Sequence, residues 1–162
     1  MLEKVRMPEL EKIDRPNLGD KIDIRLFRAL SLFSLRDVVG EDASKTLAYA
    51  GGKALGRRTK FKEFEEFLQW MEEKGIARTK SFTFDSEKGI GNLILFETLS
   101  SAGLPNLGKP ACSFETGLIS GVIERLKDRR CLVREIRCYG KGDNECEFYI
   151  EVLDVPAYLK RM

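Results

Sequence analysis

The chain has 162 residues, 43% hydrophobic and 33% charged, which places it among folded globular proteins and outside the disordered class. Basic residues exceed acidic ones by a net charge of only +2, so no overall field argues for nucleic acid or an anionic membrane. Histidine is absent, which excludes Ser-His and Cys-His nucleophile activation, haem on a proximal imidazole and zinc hydrolases built on His ligands.

Residues 1–24 are polar and broken by Pro8, Pro16 and Gly19, and read as an arm before a single domain over 25–162. No stretch approaches the ~20 apolar residues of a membrane span. Glu3, Lys4 and Arg6 occupy the place of a secretory signal's apolar core, so a cytoplasmic location is expected. From Ile24 to Val39, Leu26, Phe27, Leu30, Phe33 and Val38 recur at helical spacing, with Gly40 as a stop. A second helix runs from about Glu41 to Arg58. Its Ala48, Gly52 and Gly56 leave one face nearly bare, so that either another backbone approaches closely or a ligand finds room. Phe61 to Lys74 is strongly amphipathic, with Phe61, Phe64, Phe67, Leu68 and Met71 on one side; Trp70 stands apart from them, at a pocket, a dimer surface or the solvent margin.

The period then changes to that of strands: Ile76 to Asp85, a turn at Lys88-Gly89, and Asn92 to Glu97, whose apolar residues at both parities predict cover on both faces. A Gly/Pro loop leads to a helix from Ser113 to Asp128, notched by Gly117 and Gly121. A terminal hairpin of Cys131–Tyr139 and Cys146–Val152 follows. The predicted fold is α+β: N-terminal helices, then a mainly antiparallel sheet with one long helix between hairpins, in the order β-β-α-β-β. Two short basic runs, Arg57-Arg58 with Lys60 and Lys127 with Arg129-Arg130, read as solvated helix ends, and no nucleic-acid recognition motif accompanies them.

The hairpin brings Cys138 and Cys146 toward one centre, and Cys112 precedes the last long helix. Glu135, three residues before Cys138, would point to the opposite face under strict alternation; a bulge near Ile136 and Arg137 would bring the two together. On these residues alone a three-cysteine zinc site, free structural thiols and a disulfide all stand open.

The segments Pro110-Ala111-Cys112-Ser113-Phe114-Glu115-Thr116-Gly117, Glu135-Ile136-Arg137-Cys138 and Gly142-Asp143-Asn144-Glu145-Cys146-Glu147-Phe148 resemble the 4-vinyl reductase domain. That domain is named from bacteriochlorophyll biosynthesis and is also the effector-sensing part of phenol- and xylene-responsive activators. The resemblance extends more weakly over residues 25–152. It implies the fold of the ligand-binding domain of nitric-oxide signalling and Golgi transport proteins. It also implies a zinc held by Cys112, Glu135, Cys138 and Cys146, whose intervals of 23, 3 and 8 residues match the aromatic sensors. Cys131 falls outside that set and reads as a buried free thiol.

Three thiolates and a carboxylate fill a tetrahedral shell, so such a zinc would be structural. Arg134, Arg137 and Lys141 are near enough in sequence to offset its excess negative charge, or are ordinary solvated strand charges. The resemblance further implies a cavity between helices and sheet for a small hydrophobic molecule, with Phe64, Phe67, Phe84, Leu95, Phe114 and Val133 as candidate lining. Phenol-sensing members hold their ligand's hydroxyl with a histidine and a tryptophan. With no histidine here, an apolar ligand is expected in place of phenol. The expected function is a non-catalytic, zinc-stabilised sensing domain. A homodimeric scaffold, as among Golgi tethering subunits, is the alternative. A vinyl reductase is the least favoured, because Gly51-Gly52-Lys53-Ala54-Leu55-Gly56 lies in a helical pattern and follows no strand, unlike a dinucleotide fingerprint.

Overall fold

The computed structural model describes residues 14–17 and 21–153, and its elements follow the hydrophobic periods closely. Most of residues 1–24 lies outside the described part; residues 14–17 and 21–23 carry neither helix nor strand. Helix α1, Ile24–Arg28, is capped by the Asp23 carboxylate on the Arg25 amide and passes through a wider π-type turn, Ala29–Ser34, into α2, Leu35–Val39. After the kink at Gly40, whose φ of 85° suits glycine, come α3, Glu41–Arg58, and α4, Phe64–Glu73. Strands β1, Arg78–Asp85, and β2, Ile90–Phe96, form a hairpin; α5, Ser113–Lys127, crosses to a second hairpin of β3, Cys131–Arg137, and β4, Cys146–Val152. The sheet is antiparallel with strand order β1-β2-β4-β3, so the fold is α+β in the predicted β-β-α-β-β order.

One sheet face carries the core: Leu93 and Leu95 of β2, Phe148 and Ile150 of β4, and Val133 of β3 are buried beneath Phe64, Phe67 and Met71 of α4 and Leu118, Ile119 and Val122 of α5. Trp70 packs at the edge of this core against Phe61 and Phe67. Helix α5 is central, buried continuously from Gly117 to Glu124. The expectation that β2 is covered on both faces is corrected. Ile94 and Phe96 stay half-exposed, because every described helix lies on the other face and their own face carries the Lys80–Glu145 ion pair and the Asn92–Glu147 hydrogen bond. The apolar stripe of the first helix is also not core. Leu26, Leu30 and Val38 are exposed, and only Phe27 turns inward, edge-on to Phe114.

The bare face of α3 serves close packing. A Cβ on Gly52 would lie 2.1 Å from the Phe114 carbonyl oxygen and one on Gly56 2.4 Å from that of Leu118. The contact is reciprocal, since a Cβ on Gly117 or Gly121 would meet the carbonyls of Tyr49 and Lys53 at 2.0 and 2.3 Å. Four glycines thus let two helical backbones touch directly. Glu124 locks the far end, accepting from Lys53 and Arg57 and from the Cys131 amide; burial works against its ionisation, but these bonds hold its carboxyl below the usual range.

Candidate metal centre and the adjoining pocket

Cys112 ends the loop before α5, Glu135 lies near the end of β3, Cys138 follows that strand, and Cys146 opens β4. The bulge anticipated in β3 is present: Glu135 faces Phe148 but Arg137 faces Glu147, so Ile136 is the extra residue. The bulge resets the alternation and turns Glu135 and Cys138 toward the same centre. Their donor atoms and those of Cys112 and Cys146 all lie within 4.8 Å of one another.

The sulfur of Cys112 stands 3.5 Å from that of Cys146 and 4.0 Å from that of Cys138, close to the ~3.8 Å edge of a tetrahedron of thiolates on zinc. The four cysteines are free. The Glu135 carboxylate accepts from the Cys112 amide through Oε2, while its Oε1 is buried with no hydrogen-bond partner. A buried, unpartnered carboxylate oxygen beside three thiols is the donor arrangement that one divalent ion satisfies. Burial, then the neighbouring Cys138, push Glu135 up to about 8. Burial likewise raises the Cys112 thiol, whereas hydrogen bonds with Cys112, Cys138 and Ser101 hold Cys146 well below the ordinary thiol range. The metal-free cluster therefore concentrates its negative charge on Cys146, and ion binding must release protons held by Cys112 and Glu135.

Residues that the sequence reading missed surround the cluster. Thr98 and Ser101, both fully buried, are joined Oγ1 to Oγ at 2.8 Å, and Ser101 Oγ reaches the sulfurs of Cys112 and Cys146 at 3.0 and 3.2 Å. Amides of Ala111 and Gly140 donate to Cys138 Sγ. These hydroxyls come from a loop with no helical or strand period, so no pattern marked them. Glu115, one turn into α5, is also fully buried; it accepts from the amide and hydroxyl of Ser100, and burial raises it to about 7. Arg134, Arg137 and Lys141 turn to other partners: the Tyr149 ring, the carboxylates of Glu145 and Asp143, and the Ile136 carbonyl respectively. Cys131 lies apart, its thiol raised to about 12 by burial.

Beside the cluster, an apolar pocket of about 210 Å³ opens between the starts of α3 and α5 and the loop from Ser100 to Ala111. Ala48, Leu104, Pro105, Leu107, Ala111 and Phe114 supply its apolar wall. Of the six residues expected to line one cavity, only Phe114 does so here. Phe64 and Phe84 edge a separate groove beside α5, while Phe67, Leu95 and Val133 are buried in the core. The reason is the direct seating of α4 and α5 on the sheet, which leaves the open space at the helix ends.

Residues 95–152, which carry this cluster, match the family model of the 4-vinyl reductase domain. Two uncharacterized proteins of Methanocaldococcus jannaschii are similar along most of their length. MJ1642 is 32% identical over 85% of this chain and 82% of its own, and MJ0150 is 31% identical over 85% and 80%. Among solved structures, the phenol-responsive sensory domain of the transcription activator PoxR has a TM-score of 0.64 at 17% identity, over 86% of this chain and 79% of that one. A vinyl-4-reductase family protein of M. jannaschii has 0.63 at 20%, covering 85% of each. A trafficking protein particle complex subunit 3 of Naegleria fowleri has 0.60 at 15%, over 81% and 93%. With a relative this similar over most of both chains and the family model matching the segment that bears the cysteines, the chain belongs to the 4-vinyl reductase domain family.

Proposed function

We propose that residues 25–162 form a non-catalytic sensing domain for a small hydrophobic molecule, stabilised by a structural zinc on Cys112, Glu135, Cys138 and Cys146. The observation that carries this reading is the shared wall: the loop and helix start that deliver Ser101 and Cys112 to the metal cluster also line the apolar pocket through Ser100, Ala111 and Ser113. A closed set of four protein donors leaves zinc no position for substrate. The Gly51–Gly56 run is the interior of α3, packed on α5, with no strand before it. The phenol-bound PoxR domain of similar fold supports a small-molecule role. Among the described residues no helix is long and apolar enough to cross a membrane, which agrees with the cytoplasmic location we propose. Native mass spectrometry of the purified chain is the test. One zinc per chain and a co-purified small molecule are expected; a metal-free, ligand-free chain that melts unchanged with added zinc refutes it.

One observation favours a second role as a homodimeric module. Leu26, Leu30, Val38 and Leu47 expose apolar surface on the outer helices, Val38 at 84%. Sedimentation equilibrium decides: a monomer at all concentrations removes this reading and leaves the first untouched.

A further inference from the structure

We infer that the pocket beside the metal centre takes a small amphipathic anion, a one-ring or short aliphatic body carrying a carboxylate; this rests on the sensing reading above and names its ligand class. The inner wall is apolar, but the rim is not neutral. Arg36, Lys45 and Lys109 line it against a single lining carboxylate, Glu41, which accepts from Lys45 Nζ at 2.7 Å and from Lys109 Nζ. Asp37, next to Arg36 and 3.7 Å from its Nε, points largely to solvent and does not line the pocket. Even with Asp37 counted, three cations meet two anions and the rim keeps an excess of positive charge. These side chains are partly exposed, so they sit at the mouth, where an incoming head group meets them.

The helix ends add to this field. The first turns of α3, through Glu41 and Ser44, and of α5, through Ser113 and Phe114, belong to the pocket wall. Neither N-cap, Gly40 or Cys112, supplies a side-chain acceptor. The negative metal cluster lies behind Ala111 and Ser113, with Cys112 fully buried, which orients the guest: apolar body inward, carboxylate at the rim. The size agrees. A dry cavity of about 150 Å³ accommodates benzene, so about 210 Å³ takes a ring with a short chain. The same cations that attract a carboxylate repel an ammonium head and gain little from an alcohol.

The test is calorimetric titration of the zinc-loaded chain with 3-phenylpropionate, 3-phenyl-1-propanol and 3-phenylpropylamine, which share one body and differ in head-group charge. The acid is expected to bind about tenfold tighter than the alcohol at low salt, the amine weakest, and the gap to narrow as salt rises. Lys109→Met should weaken the acid about fivefold and Glu41→Gln should tighten it, with the alcohol unchanged in both. If the alcohol binds as tightly as the acid and neither substitution separates them, the anion inference is overturned while the sensing reading stands. If none of the three binds, both are overturned.

Discussion

Gly51 and Gly52 are neighbours in α3, yet alanine should act on them with opposite signs. At Gly52 the new methyl would lie 2.1 Å from the Phe114 carbonyl oxygen and 2.9 Å from the Leu118 nitrogen, both backbone atoms of α5, so the clash cannot be relieved by a rotamer change. The helices must part by about 1 Å, which forfeits a quarter to a half of the dispersion between facing atoms. Overpacking of this kind costs up to about 3 kcal/mol, and rigid backbone on both sides pushes it to that limit or beyond. The gain in helix propensity returns only about 1 kcal/mol. A net loss of about 2 to 3 kcal/mol lowers Tm by roughly 4 to 12 °C in a chain of this size. At Gly51, which is exposed, nothing lies within 4 Å of the added methyl, so only the propensity gain remains and Tm should rise by roughly 2 °C. Differential scanning calorimetry of the zinc-loaded variants measures both. A Gly52→Ala protein that melts with or above the parent would refute the direct backbone contact between α3 and α5.

Cys138→Ser should lower zinc stoichiometry and melting temperature together, since one of four donors is lost from a buried site; undiminished zinc by plasma mass spectrometry would contradict the ligand set. Glu115→Gln should show a pH-dependent benefit. Burial raises the folded-state pKa to about 7 from an ordinary value of 4.5, so the folded chain binds the extra proton, and its stability falls as pH rises through that interval. The parent therefore loses about 3 kcal/mol between pH 5 and pH 8 that the glutamine variant keeps. Melting curves of both proteins at the two pH values should diverge in favour of the variant at pH 8; parallel curves would mean that Glu115 is not a buried ionising group.

The regular elements were legible because their causes are local. The 3.6-residue stripe of Phe64, Phe67 and Met71 and the terminal hairpin follow directly from periodicity, and Glu41–Arg58 and Cys146–Val152 have the predicted bounds. The bulge at Ile136 was legible too, because four donors at those spacings could not otherwise meet. What escaped was set by tertiary placement. Thr98 and Ser101 reach the sulfurs from an irregular loop, and the pocket formed where two helix ends leave the sheet, not over the sheet where Leu95 and Val133 pack. The stripe of Leu26, Leu30 and Val38 has the period of a core helix but no element covers it among the described residues, so periodicity marked a surface rather than a core.

Arg28 ties the first helix to that irregular loop, donating to the carbonyls of Leu99 at 2.7 Å, Ala102 at 2.8 Å and Thr98 at 3.3 Å. Those carbonyls belong to the stretch that also presents Ser100 to the pocket and Ser101 to the sulfurs. A shift of the stretch, whether from a guest filling the space or an ion leaving it, would pass to the outermost helix through a single guanidinium. That side chain works as a pushrod, turning an event in the interior into a change of tilt at the surface.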